Sequence, residues 1–306
     1  MTKIFIDGSS GTTGLSIHER LSSYKDIEII ELPAELKKDI QAKKQAINSS
    51  DITILCLPDA SAKESVSLCE NENVVIIDTS TAHRTAEGWV YGFAEIGDNR
   101  EKIKTAKRIA NPGCHASGFI SLIAPLVEKG AIDKEEKLTC FSITGYTGGG
   151  KNMISEYEVI ADESLKAPRL YALGQKHKHL PEMTLITGLK YSPAFCPIVA
   201  NFSRGMEVVI PLPTSALKVS VEKVKEIYKN YYTGSVVKFV ENADENGFLT
   251  SNKLAEKDSM EISVFGGEDN ITLISRFDNL GKGACGSALQ NLNIVLGLNE
   301  ENGLNL

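Results

Sequence analysis

Hydrophobic positions fall into two textures along the chain. In the first third, short β-branched runs at residues 3–7, 27–32, 51–57 and 74–78 alternate with polar stretches at 14–24, 34–48 and 61–71, each long enough for a crossover helix. Two of the runs, Ile52-Thr53-Ile54-Leu55-Cys56-Leu57 and Val74-Val75-Ile76-Ile77, are almost unbroken in apolar character. Such runs suit strands covered on both faces. Their alternation with helices predicts a doubly wound parallel sheet, an α/β fold.

Beyond Asn111-Pro112-Gly113 the texture changes, and a domain boundary is expected there. Strand-like runs at 138–146, 205–212, 236–241, 260–265 and 270–277 follow one another, several with no helix between them. Gly266-Gly267-Glu268-Asp269 reads as a hairpin turn joining the last two. Val224, Ile227, Tyr228 and Tyr231 recur at helical spacing, and Ala288, Leu289, Leu292, Val295 and Leu296 give residues 283–298 an apolar helix face. The second part is therefore expected to be an α+β domain with a mixed, largely antiparallel sheet.

Composition narrows the partners. The 306 residues suggest about two domains. The 33 Lys and Arg against 40 Asp and Glu give a net charge of −7, which argues against a nucleic-acid binder, because such affinity rests on concentrated cationic surface. No apolar run approaches the ~20 residues of a membrane helix, and the N-terminus reads straight into a strand without a signal-peptide pattern. A cytoplasmic protein acting on something small is expected. The 6 cysteines show no CxxC pair and no Cys/His metal spacing, so no metal site is expected.

Three stretches carry candidate chemistry. Gly8-Ser9-Ser10-Gly11-Thr12-Thr13-Gly14 lies between the first strand and the first helix, where backbone N–H groups approach the pyrophosphate of a dinucleotide. Glu31, near the end of the second strand, suits the ribose 2′-hydroxyl of NAD, whereas Lys37 and Lys38 suit the 2′-phosphate of NADP; these residues leave the choice open. The second stretch is Asn111-Pro112-Gly113-Cys114-His115-Ala116-Ser117-Gly118, leading into an apolar helical run. A cysteine at a helix start faces unpaired N–H groups and the positive end of the macrodipole, which favour thiolate. Cys56 and Cys140 lie inside apolar strands, Cys69 on a helix, and Cys196 beside no activating group; Cys285, at the start of the final helix, is the one rival to Cys114. The third stretch, Gly174-Gln175-Lys176-His177-Lys178-His179-Leu180-Pro181-Glu182, concentrates imidazole and ammonium groups. That mixture suits an anionic substrate and a general acid/base. After the fourth strand, Thr79-Ser80-Thr81-Ala82-His83-Arg84 occupies the sheet edge where ligands of open α/β sheets bind.

Taken together, Gly8–Gly14, residues 78–85, Val90-Tyr91-Gly92-Phe93, Asn111–Gly118, His177–Glu182 and Asp278-Asn279-Leu280-Gly281-Lys282-Gly283-Ala284 resemble the short (type 2) N-acetyl-gamma-glutamyl-phosphate reductases, of the aspartate-semialdehyde dehydrogenase-like superfamily. The resemblance runs essentially end to end, and the Cys114 and Asp278–Ala284 segments are its most specific parts. It implies a Rossmann-type dinucleotide-binding domain at 1–113, completed by a C-terminal helix at 283–306, and a catalytic and oligomerisation domain at 114–282. It implies reduction of an acyl phosphate by NADP(H) through a cysteine thioester in arginine biosynthesis, in a homo-oligomer. Cys114 would be the nucleophile and His177 the acid/base, with His179 as the alternative. Gly8, Ser10, Gly11, Thr12, Thr13 and Gly14 would hold the cofactor, with Asn279, Lys282 and Gly283 beside the nicotinamide. Arg84, Ser80, Lys176 and His179 would contact substrate. The alternatives are a related reductase of another acyl phosphate, an NADP-binding regulatory protein without turnover, and a Cys–His acyl hydrolase, which would leave the glycine motif unexplained.

Overall fold

Alternation along β1 (Thr2–Asp7) explains the first half of the architecture. Ile4 and Ile6 enter one apolar core, while Phe5 enters another. Successive side chains of a strand point to opposite faces, so this strand must be covered on both. A computed structural model describes every residue except Ser23 and Ala161, and divides the chain into two units.

The first unit comprises Met1–Ala94, Asp98–Gly113 and Ala284–Leu304. Its elements are β1, α1 (Thr12–Leu21), β2 (Ile27–Ile30), α2 (Ile40–Ser49), β3 (Ile52–Leu55), α3 (Asp59–Ser67), β4 (Val75–Asp78), β5 (Val90–Tyr91), α4 (Asn99–Thr105) and β6 (Arg108–Ala110), with one late helix described below. The six strands form a wholly parallel sheet in the order β2-β1-β3-β4-β6-β5. Ile17 and Leu21 of α1, Ile103 of α4, and Ala288 and Leu292 from the end of the chain cover one face. Ala46 and Ile47 of α2 and Ala62 of α3 cover the other. The expected doubly wound sheet is thus present. The strand order reverses between β1 and β3, which opens the crevice where such sheets bind ligands.

The second unit comprises Glu95–Gly97, Cys114–Gly283 and Asn305–Leu306. It contains α5 (Cys114–Glu128), β7 (Thr139–Gly145), α6 (Gly150–Ser155), β8 (Arg169–Leu170), α7 (Leu180–Thr187), β9 (Ala194–Ala200), β10 (Met206–Pro213), α8 (Val221–Tyr231), β11 (Val237–Phe239), β12 (Met260–Gly266) and β13 (Asn270–Phe277). Its sheet runs β11-β12-β13-β10-β7-β9-β8, with β11–β12 and β7–β9 parallel and the other four pairings antiparallel. The expected hairpin closes β12 onto β13, pairing Gly266 with Ile271. Helix α5 is buried almost throughout from His115 to Val127, as an all-round apolar helix must be, and it packs on β10 and β13.

Local chemistry adjusts two expected boundaries and hides one strand. The stretch at 34–48 is a short 3₁₀ turn, Ala34–Leu36, followed by α2, because Asp39 caps the helix by accepting from Ala42 N at 2.7 Å. The final helix begins as a π-turn, Gly281–Cys285, before α9 (Gly286–Val295). Strand β9 carries Pro197 in its middle, which lacks a ladder donor and hides the strand from pattern reading.

Candidate active site

The glycine turn of the first unit is built for close backbone approach. Gly8 has φ +88°, and a Cβ there would lie 2.3 Å from the Cys56 carbonyl oxygen. A Cβ on Gly14 would lie 2.3 Å from the Gly8 carbonyl oxygen. Gly11 caps α1 without a side-chain bond, and Thr12 and Thr13 open the helix, so its first N–H groups sit at the positive pole without a capping carboxylate. A cavity of about 590 Å³ adjoins the turn, lined by residues that include Gly8, Ser9, Ser10, Glu31, Lys37 and Lys38. Glu31 lies 2.7 Å from His18 Nε2. An anion cradle beside two lysines fits a phosphorylated dinucleotide.

Ser80 and Arg84 are buried in the same unit. Ser80 Oγ donates to Asp78 Oδ2 at 2.7 Å, and His83 Nδ1 is 2.6 Å from the same oxygen. Arg84 donates from Nε to Asn111 O at 2.9 Å and from Nη2 to Thr79 O at 3.0 Å. That edge of the guanidinium braces the turn after β4 against the end of β6. Two of its donors are thus engaged within the fold.

The second unit gathers the remaining candidates. Cys114 is the first residue of α5 and is half-buried. The imidazoles of His115, His177 and His179 form one cluster, with ring centroids 5.5 Å apart for His115–His177 and for His115–His179, and 4.7 Å for His177–His179. Phe195 packs against His115 and His177. Tyr171 joins on the other side, its hydroxyl 2.6 Å from His115 Nε2. His177 Nδ1 accepts from the backbone N–H of His179 at 3.2 Å. A backbone N–H can only donate, so the proton of neutral His177 sits on Nε2. His177 also lines an open cavity of about 630 Å³ together with Lys176, Leu180, Pro181, Thr184 and Ser192. His179 is buried instead, its Nε2 3.9 Å from the buried Glu182 carboxylate. Lys176 and Lys178 are exposed on the same loop.

The Asp278–Gly283 turn lies against Cys114. A Cβ on Gly283 would stand 2.9 Å from Cys114 Cβ. Fully buried Asp278 organises the turn by accepting from the N–H groups of Leu280 (2.7 Å), Gly281 (3.0 Å) and Glu256, and it pairs with Arg204 Nε at 2.8 Å. Asn279 bonds Gly205 N at 2.9 Å and Thr147 Oγ1 at 3.0 Å, tying two loops together. Lys282 is paired with Glu95 at 2.8 and 2.9 Å, both nearly wholly buried. Of the three residues expected beside a nicotinamide, Asn279 and Lys282 therefore have internal partners, and Gly283 offers close approach.

The other cysteines are poor rivals. Burial pushes the Cys56 thiol up to about 12 and raises Cys140 as well. Cys285 is buried, 3.4 Å from Ser16 Oγ and 3.5 Å from Arg20 Nη1. Reading the sequence alone missed Tyr171, Ser142, Asp278 and the Glu95 partner of Lys282. Of these, only Asp278 sat inside a motif.

Residues 3–106 match the family described as semialdehyde dehydrogenase, NAD binding domain, and residues 114–279 match semialdehyde dehydrogenase, dimerisation domain. A relative named N-acetyl-gamma-glutamyl-phosphate reductase 2, from Nostoc sp., is 42% identical over 99% of both chains. One from Brucella anthropi, named N-acetyl-gamma-glutamyl-phosphate reductase, is 42% identical over 96% of this chain and 98% of its own. Among solved structures, an aspartate semialdehyde dehydrogenase II from Vibrio cholerae superposes with a TM-score of 0.72 at 14% identity, covering 97% of this chain and 98% of the other. The Candida albicans aspartate semialdehyde dehydrogenase solved with NADP gives 0.68 at 14%, covering 99% and 100%. At such identities these structures speak for the fold.

Proposed function

The chain belongs to the N-acetyl-gamma-glutamyl-phosphate reductase family, and from that premise we propose that it reduces N-acetyl-gamma-glutamyl phosphate to the semialdehyde and phosphate, in arginine biosynthesis, with Cys114 as nucleophile and His177 as acid. The observation that carries the assignment is Cys114 at the start of α5, in the unit where His177 is held beside His115 and Tyr171.

The helix start favours the Cys114 thiolate. The thiolate attacks the acyl carbon, the bond to phosphate breaks with its electrons, and a thioester forms on Cys114. Lys176 and Lys178 supply cationic contacts for the departing phosphate. The cofactor is NADP(H); Gly8, Ser10, Gly11, Thr12, Thr13 and Gly14 would hold it, and when bound it would supply a hydride for reduction at the thioester carbon. His177 serves through Nε2, because its Nδ1 is occupied by the His179 N–H. It donates to the oxyanion on the reduced carbon, help worth roughly a hundred- to ten-thousand-fold. As the carbon–sulfur bond then breaks, the hydroxyl proton returns to His177, giving the aldehyde and the thiolate. Of the two histidines, His177 is the partly exposed one that lines the open cavity, whereas His179 is buried beside Glu182.

The protein is proposed to act as a homo-oligomer in the cytoplasm. No described helix is long and apolar enough to cross a membrane. On the face of the second sheet opposite α5, Phe141, Cys196, Val209 and Ile274 stand in register, and Phe141 is 39% exposed. An apolar band of this kind marks an association surface.

The test is NADP⁺ reduction with N-acetylglutamate semialdehyde, with and without phosphate. Phosphate-dependent NADPH formation that vanishes in Cys114→Ser supports the reading. Signal only with aspartate semialdehyde replaces the substrate, and silence with both removes the activity.

A further inference from the structure

A buried hydrogen-bonded chain runs from the second sheet toward the nucleophile. Ser142 Oγ on β7 is 2.7 Å from His115 Nδ1, and His115 Nε2 is 2.6 Å from the Tyr171 hydroxyl. Ser142 is fully buried and His115 is 4% exposed. Burial, reinforced by His177 and Lys178, holds the His115 imidazole down at about 3. His115 is thus neutral at any working pH, with one donor nitrogen and one acceptor nitrogen.

Ser142 decides which nitrogen is which. Among the described residues, the only partner of its hydroxyl is His115 Nδ1. A buried hydroxyl proton left without an acceptor costs about 1–3 kcal/mol. Ser142 therefore donates to Nδ1, which places the His115 proton on Nε2, aimed at the Tyr171 oxygen. Tyr171 accepts that bond, so its own proton is not spent on His115. The charge of Cys114 raises Tyr171 further, after burial, so the phenol keeps its proton beside the nucleophile. Its ring lies 5.9 Å from that of His177.

We propose that Tyr171 is a catalytic hydrogen-bond donor to the acyl oxygen of the Cys114-bound intermediate, with Ser142 and His115 as positioning residues that turn its proton outward. The inference rests on Cys114 being the nucleophile. Tyr171 and His177 would then share the oxyanion that develops on the reacting carbon, a task in which one donor is worth roughly a hundred- to a thousand-fold when water is excluded.

Two measurements test it together. The first is nitrogen NMR of the histidine-labelled protein, whose 5 histidines keep the spectrum simple. It should show His115 protonated at Nε2 and bare at Nδ1; the opposite tautomer overturns the proposal. The second is Tyr171→Phe, which keeps the ring against His177 while removing the donor. Its kcat should fall at least tenfold with KM nearly unchanged, and the pH profile for alkylation of Cys114 by iodoacetamide should stay within twofold of wild type. An unchanged kcat, or a loss confined to KM, overturns the role. Cys114→Ser runs alongside: turnover surviving that change sinks the nucleophile assignment itself, a failure distinct from that of Tyr171.

Discussion

Adding a single methyl at Gly283 should disable Cys114, the proposed nucleophile, without touching its sulfur. A Cβ at this position would sit 2.9 Å from Cys114 Cβ, 3.0 Å from Asp278 O and 3.3 Å from Phe277 Cε2. Carbon atoms at rest stand about 3.5–4.0 Å apart, so Gly283→Ala creates an overlap of roughly 0.6–1.1 Å with Cys114. Neither near neighbour yields easily. The Cys114 Cβ is fixed to the backbone at the start of a buried helix, and the Asp278 carbonyl accepts from Gly283 N at 2.9 Å. Relief therefore comes from moving the start of α5 or the turn by several tenths of an ångström. Overpacking of this size costs about 1–3 kcal/mol of stability, and displacing a reacting atom by about 1 Å costs about a hundredfold in rate. Urea unfolding and steady-state kinetics on the same preparation would separate the two losses. A folded variant with kcat within twofold of wild type would refute the reasoning, since it would mean that this contact does not position the thiol.

Three further changes probe other parts of the account. Gly14→Ala puts a Cβ 2.3 Å from the Gly8 carbonyl oxygen and should weaken NADPH binding by tenfold or more in a fluorescence titration, because the turn must open; an unchanged Kd would remove the turn from the cofactor site. Lys282→Met leaves the buried Glu95 carboxylate without its ammonium, which should cost about 3–5 kcal/mol in urea unfolding, and no loss would show that the pair is not desolvated. His115 titrates far below its ordinary 6.5 because of burial, so the stability gained from keeping it neutral is fully present above that value and declines as pH falls toward about 3. In His115→Gln that part of the acid dependence should disappear from the urea midpoint, and an identical pH slope would contradict it.

The first sheet was largely legible because parallel strands covered on both faces leave unbroken apolar runs, as at Ile52–Leu55 and Val75–Asp78. Strands β5 and β6 escaped notice, being only 2 and 3 residues long. The setting of Cys114 was readable from local order alone, since Pro112 and Gly113 precede a continuous apolar helix. What could not be read was long-range. Ser142 and Tyr171 reach His115 from 27 and 56 residues away, and nothing in their own neighbourhoods distinguishes them from ordinary strand and loop residues. The same holds for Arg84, whose bonds to the carbonyls of Thr79 and Asn111 tie the turn after β4 to the end of β6 and leave no mark in its local sequence.

The most direct test of the central claim is to trap the acyl group on sulfur. The enzyme would be mixed with N-acetylglutamate semialdehyde and NADP⁺ in the absence of phosphate, quenched in acid and examined by peptide mass spectrometry. The account predicts one N-acetylglutamyl adduct, on Cys114, that disappears when phosphate is added before the quench. Full turnover with no adduct on Cys114, or an adduct on another cysteine that phosphate discharges, would contradict it.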